Sequence, residues 1–228
     1  MFLLRMMLLA CGLLVLAPPP ASAALKIEGT RLIYFGQKKA ATIGVVNQAS
    51  REVVVQTWIS AEDESAVRTV PFAATEPLVR LGPAEHHQLR ILYAGEGLPT
   101  DRESLFWLNI LEIPLKPEAP NSVQFAIRQK LKLFYRPPQL TGGSAEAVQQ
   151  LSWRHRDEHN VIVSNPSAFH LSLTDLHTDT DVLSDYLLLK PYESKTLTTS
   201  GTLATDTTLH FTEITDIGLQ VRHSAALK

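Results

Sequence analysis

The chain has 228 residues, of which 45% are hydrophobic and 19% charged, with a formal net charge of −2. That length accommodates two domains of ~100 residues each, and the composition is that of a globular protein, not a disordered one. The net charge falls only to −3 when the one arginine of the first 23 residues is removed. So near-neutral a balance argues against nucleic acid or an anionic membrane as the partner.

Met1–Ala23 reads as a cleavable secretory signal. Arg5 supplies the positive start, Met6–Ala17 an apolar run of ~12 residues, and Ala21-Ser22-Ala23 a small-x-small cleavage site, so the mature chain is expected to begin at Ala24. A membrane anchor is disfavoured, because a spanning helix needs ~20 apolar residues and Pro18-Pro19-Pro20 ends this run. Leu8-Leu9-Ala10-Cys11 resembles a lipoprotein signal, but the apolar stretch before Cys11 is short. Cys11 is the only cysteine, so the mature protein has no disulfide, no thiol chemistry and no cysteine-ligated metal.

After the leader no convincing helical period appears. Short alternating or apolar runs at Leu25–Phe35, Thr42–Gln48, Val53–Ile59, Leu78–Leu81, Gln88–Tyr93, Ser104–Ile113 and Ser122–Tyr135 predict strands, with turn residues between them. Seven strands in roughly 110 residues is the pattern of an immunoglobulin-like sandwich. Pro137-Pro138 then forms a short stiff linker. Beyond it, weaker runs at Gln149–Trp153, Asn160–Val163, His170–Leu176, Tyr186–Leu189, Lys195–Thr199, Thr208–Phe211 and Leu219–Val221 predict a second all-β domain. The expected division is 1–23 signal, 24–138 N-terminal immunoglobulin-like domain and 139–228 C-terminal β-sandwich.

Nothing in the pattern points to an enzyme. His86-His87 are adjacent on a strand and face opposite sides, so they do not share an ion. Asp175-x-His177-x-Asp179-x-Asp181 lacks the glycine and terminal glutamate of a calcium loop and reads as a solvated loop. No nucleophile elbow, phosphate loop or dinucleotide fingerprint occurs. No cofactor, metal, nucleic acid or small-molecule substrate is expected.

The most informative stretch is Asp101–Arg136. Ser104–Ile113 is apolar on both faces. In the next strand Val123, Phe125, Ile127, Leu131, Leu133 and Tyr135 share one parity, and Gln124, Arg128, Lys130, Lys132 and Arg136 share the other. Strands this long and apolar are an aggregation hazard unless covered. Here DRESLFWLNILEIP and KLKLFYRP resemble the signature of PapD-like periplasmic pilus chaperones of the chaperone–usher family. The resemblance extends to Glu28–Gly36 and Phe72–Pro83 and thins to Val161–Phe169 and Phe211–Gly218.

The resemblance implies two immunoglobulin-like sandwiches in a bent, boomerang-like arrangement, and a periplasmic chaperone that lends a strand to incomplete pilus subunits and delivers them to an outer-membrane usher. By residue type alone, Arg31 and Lys132 read as solvated strand cations. The resemblance makes them the pair that grips the subunit's terminal carboxylate. It makes Val123, Phe125 and Ile127 the lending residues, exposed in the free protein, which would then self-associate or hold the segment disordered. Glu103, Arg136 and Asp216 become a charge network between the domains, although the family's aromatic and second glycine after the aspartate are here Ile217 and Leu219. The short Leu115–Asn121 connection and the missing disulfide resemble the short-loop branch that serves rod-like pili. Two other classes stay open: a tandem-sandwich adhesion module, which need not pair Arg31 with Lys132, and a secreted β-rich enzyme, which would need a convergent polar cleft.

Overall fold

The computed structural model describes residues 25–65, 69–115 and 124–228. The leader, and Val123 of the lending segment, lie outside them. In chain order the strands are β1 (Leu25–Ile27), β2 (Arg31–Phe35), β3 (Ala41–Asn47), β4 (Val53–Ala61), β5 (Phe72–Ala74), β6 (Leu78–Leu81), β7 (His86–Tyr93), β8 (Ser104–Pro114) and β9 (Ile127–Arg136). A short helix α1 (Ser144–Ala147) and a 3-10 turn follow, then β10 (Ser152–Asp157), β11 (Asn160–Ser164), β12 (Leu171–His177), β13 (Val182–Leu189), β14 (Ser194–Thr198), β15 (Thr208–Ile214) and β16 (Gln220–Ala226).

The all-β expectation holds, with two sandwiches. The first stacks sheet β1-β3-β7-β5 on sheet β2-β9-β8-β4-β6; the second stacks β10-β11-β14 on β13-β12-β15-β16. Alternation explains the first core. Phe106, Leu108 and Ile110 of β8 and Leu131, Leu133 and Tyr135 of β9 point inward and are buried with Leu32, Val55 and Ile91. The opposite face of β8 carries Leu105, Trp107 and Asn109, so this central strand is apolar on both sides, as its sequence indicates. Trp153, Val163, Leu171, Leu173, Leu189 and Phe211 form a separate second core.

Three local features depart from expectation. Leu25–Phe35 is two strands in different sheets, not one. Gly29 adopts φ +152, which side-chain-bearing residues rarely take, and the chain switches sheets there. Strand β9 begins at Ile127, so the described residues 124–126 before it are not in the ladder. Where a strand was expected from Gln149, the 3-10 turn that follows α1 runs on to Gln150, and the strand starts only at Ser152. Glu146 Oε2 accepts the Gly143 N–H at 2.9 Å and satisfies one of the free donors at that helix start.

Candidate functional site

Strand β2 runs parallel to β9, and their register sets Arg31 opposite Lys132. Both side chains leave the outer face of the first sandwich and reach the second. Arg31 Nη1 donates to the carbonyl of Ile214 at 2.8 Å. Lys132 Nζ donates to Ser172 Oγ at 3.4 Å and stands 4.8 Å from the centre of the Tyr186 ring. Among the described residues neither cation has a carboxylate within ion-pair distance, and Arg31 Nε is buried with no acceptor. Burial, with the nearby Arg31 charge added, lowers Lys132 to about 8. Burial also lowers Arg31, against the pull of Asp216 and Glu213. Half-buried cations are ordinarily paired. Two side by side with unspent donors form a site whose chemistry fits a carboxylate.

The second cluster lies at the junction itself. Arg136, the last residue of β9, holds Glu103 Oε1 at 2.7 Å and Asp216 Oδ2 at 2.9 Å. Arg136 and Glu103 are almost fully buried, while the Asp216 side chain retains 30% exposure. Burial pulls Arg136 down, but the bonds and charges of Asp216 and Glu103 outweigh it, and the net shift is upward. Glu103 Oε2 accepts the main-chain N–H of His170 at 2.8 Å, with the His170 ring at 3.4 Å. Arg136 also donates to Gly142 O and lies over the rings of Phe169 and Phe35. Asp216 comes from the turn between β15 and β16 and His170 from the start of β12, so the cluster ties the two sandwiches together. The structure thus brings Glu103, Arg136 and Asp216 into contact. His170, Ser172, Tyr186 and Ile214 complete the surroundings, and no local pattern in the sequence marks them.

Phe125 is 76% exposed and Ile127 42% exposed, unusual values for large apolar side chains. β8 pairs with β9 from Ile127 to Tyr135, whereas β2 covers the other edge only from Lys132 onward. The edge beside 127–131 therefore has no strand partner among the described residues. On the solvent face of the same stretch, Arg128 and Lys130 pair with Glu64 and lie over Trp58 and Trp107.

The other candidates stay apart. His87 meets Glu76, and His86 is exposed on the opposite face. His177 bonds to Asp175, while Asp179 meets His210. No group of three or more potential metal ligands occurs among the described residues.

The family model of the pili and flagellar-assembly chaperone PapD N-terminal domain matches residues 24–141, and that of the pili assembly chaperone PapD C-terminal domain matches 146–225. The chaperone protein LpfB of Salmonella typhimurium is 36% identical over 182 residues, covering 77% of this chain and 78% of its own. The probable fimbrial chaperone YadV of Escherichia coli is 32% identical over 222 residues, 90% of each chain. The YadV crystal structure superposes with a TM-score of 0.75 over 90% of this chain and all of its own. The Salmonella enterica SafB chaperone, solved in complex with the SafA pilin, is 28% identical with a TM-score of 0.77, covering 92% of this chain and 99% of its own.

Proposed function

This chain belongs to the PapD family of pili-assembly chaperones, and we propose that it captures pilus or fimbrial subunits by donor-strand complementation and passes them to an outer-membrane usher. The observation that carries this reading is the edge of β9 beside 127–131, which has no strand partner among the described residues and leads from exposed Ile127, with exposed Phe125 just before it, to Arg31 and Lys132, which have no carboxylate partner among those residues. An edge of free N–H and C=O groups adds a strand through main-chain bonds that do not depend on the guest's sequence, and alternate side chains supply the fit. Val123, Phe125 and Ile127 fill the guest's groove. Arg31 and Lys132 hold its terminal carboxylate and so set its register. Glu103, Arg136 and Asp216 hold the sandwiches in the arrangement that brings Ile214 and Ser172 to those cations.

Chaperones of this family work in the periplasm. We assign export to a cleavable signal at 1–23, with the two domains spanning 24–138 and 139–228. No catalytic step and no cofactor enter this reading. Purification of tagged protein from periplasm tests it. The expected companion is an exported subunit with an alternating apolar terminal strand, lost with Lys132→Ala. Recovery of the tagged protein without any such subunit overturns the assignment.

A further inference from the structure

Three carboxylates are buried among the described residues, those of Glu103, Glu112 and Glu213. Arg136 pairs with the first and His223 with the last. Glu112 is 6% exposed, yet among the described residues no cation lies within ion-pair distance of it. It stands on β8 two residues beyond Ile110 and opposite Val55, so its side chain enters the first sandwich on the core side. There Glu112 Oε2 accepts the main-chain N–H of Leu25 at 3.0 Å. Gln129, on β9, donates to the Leu25 carbonyl at 3.3 Å. Leu25, the first residue of β1, is thus held by both of its main-chain groups. Glu112 is two residues from the end of β8 and Gln129 two from the start of β9, so the contact closes the base from which the lending segment departs.

A lone buried carboxylate is costly to keep ionised. Burial pushes the Glu112 carboxyl up, and the Leu25 N–H brings it only part of the way back. Nearby cations do not supply the missing charge. Lys26 is exposed, and as the next residue of β1 it points to the opposite face from Leu25. Arg128 and Lys130 lie over Trp58 and Trp107 on the outer face of their sheet.

The covalent chain supplies one. The nitrogen of residue 24 is three bonds from that of Leu25, and no more than about 3.7 Å from it whatever the torsion between them. With the leader attached, that nitrogen is a neutral amide. Water entering the Ala23–Ala24 bond leaves a carboxylate on Ala23 and an ammonium on Ala24. The new charge, with three donors, arises next to a carboxylate that already accepts the following N–H.

Resting on the assignment of a leader at 1–23, we propose that the ammonium of Ala24 is the counter-ion of Glu112, so that leader removal locks β1 against β8 and β9. The precursor keeps the carboxylate without its partner and is the less stable of the two forms.

The test uses the exported protein, its amino terminus read by mass, and the same protein acetylated on that terminus, each with Glu112 and with Glu112→Gln. Glutamine keeps an acceptor for Leu25 and removes the charge. A paired ammonium holds its proton more tightly. The Ala24 methyl signal, followed by NMR against pH, should therefore titrate about one unit or more above the ordinary α-amino range of ~7.7–8.0. This measurement needs no variant. The shift should vanish in Glu112→Gln. Acetylation removes the terminal charge, so it should lower the urea midpoint of the Glu112 protein and leave that of Glu112→Gln where it was. An ordinary titration with Glu112 present, a shift that persists in Glu112→Gln, or an equal effect of acetylation on both overturns the pairing and leaves the leader assignment standing. A mature chain that begins at any other residue overturns both.

Discussion

Arg31 and Lys132 face each other across a parallel strand pair with no carboxylate between them among the described residues, and both lean onto the second sandwich. Bringing two like charges together at a half-buried junction is unfavourable unless an anion joins them. Arg31→Ala and Lys132→Ala should therefore each abolish subunit capture without unfolding the protein. Losing one partner of a desolvated charge pair costs ~2–5 kcal/mol of binding, roughly 30-fold or more. Subunit yield and melting temperature are measured together; normal yield at an unchanged melting temperature removes the anchoring role.

Lys132 also predicts how capture responds to pH. Its ammonium titrates near 8 in the free protein, because burial and Arg31 both disfavour the charge. A carboxylate guest needs that charge, so affinity should be flat below pH 8 and decline above it. The free protein's stability has the opposite slope. The unfolded chain keeps this proton up to 10.5, so between about 8 and 10.5 it binds more protons than the folded chain, and stability rises with pH. Titration calorimetry and urea melts at pH 7, 8 and 9 check both slopes. Lys132→Arg should flatten the binding curve, and a curve that stays steep in that variant assigns the titration elsewhere.

Removal of Glu103 should act on the fold. Its carboxylate is nearly inaccessible and serves Arg136 and the His170 N–H at once. Glu103→Ala leaves a buried guanidinium short of its partner, at a cost of ~3–5 kcal/mol. Asp216→Asn keeps a polar group at a site 30% exposed and should cost ~1 kcal/mol or less. Denaturant midpoints compare the two. Equal losses would show that the cluster does not draw its strength from the Glu103–Arg136 pair.

Phe125→Asp should block capture and spare the fold. The ring is 76% exposed, so the change costs about 0.5 kcal/mol or less in stability. It also removes an exposed apolar group from an unpaired edge, and should reduce any concentration-dependent association of the free protein. Sedimentation at two concentrations, paired with a capture assay, reads both effects. Retained capture would move the lending segment elsewhere.

Much of the first sandwich was legible in the sequence because β8 and β9 are long and β9 alternates cleanly, so Leu131, Leu133 and Tyr135 could hardly point elsewhere than inward. Strand β8, apolar on both faces, does not declare which side meets the core. The break at Gly29 is marked only by Glu28-Gly29-Thr30-Arg31, and an isolated glycine inside a strand pattern reads equally as a bulge within one strand. Helix α1 has four residues, too few to show a period. Strand β5 has three and was missed for the same reason. The site divides similarly. Arg31 and Lys132 look like ordinary solvated cations until the family resemblance singles them out. Ser172, Tyr186, Ile214 and His170 carry no signal at all, because they matter only once the second sandwich is placed against the first.

The partial pairing of β2 with β9 has one more consequence. The lane beside β9 is shared: the chain's own β2 occupies it from Lys132 to Arg136, and the stretch from Ile127 to Leu131 has no strand partner there among the described residues. A strand entering that lane runs until it meets the start of β2, as a train meets a buffer. The unpartnered length, about five residues or ~17 Å, is set by the host and not by the guest. Subunits of different sequence would therefore all be gripped over the same number of rungs and released with the same length of groove still to be filled.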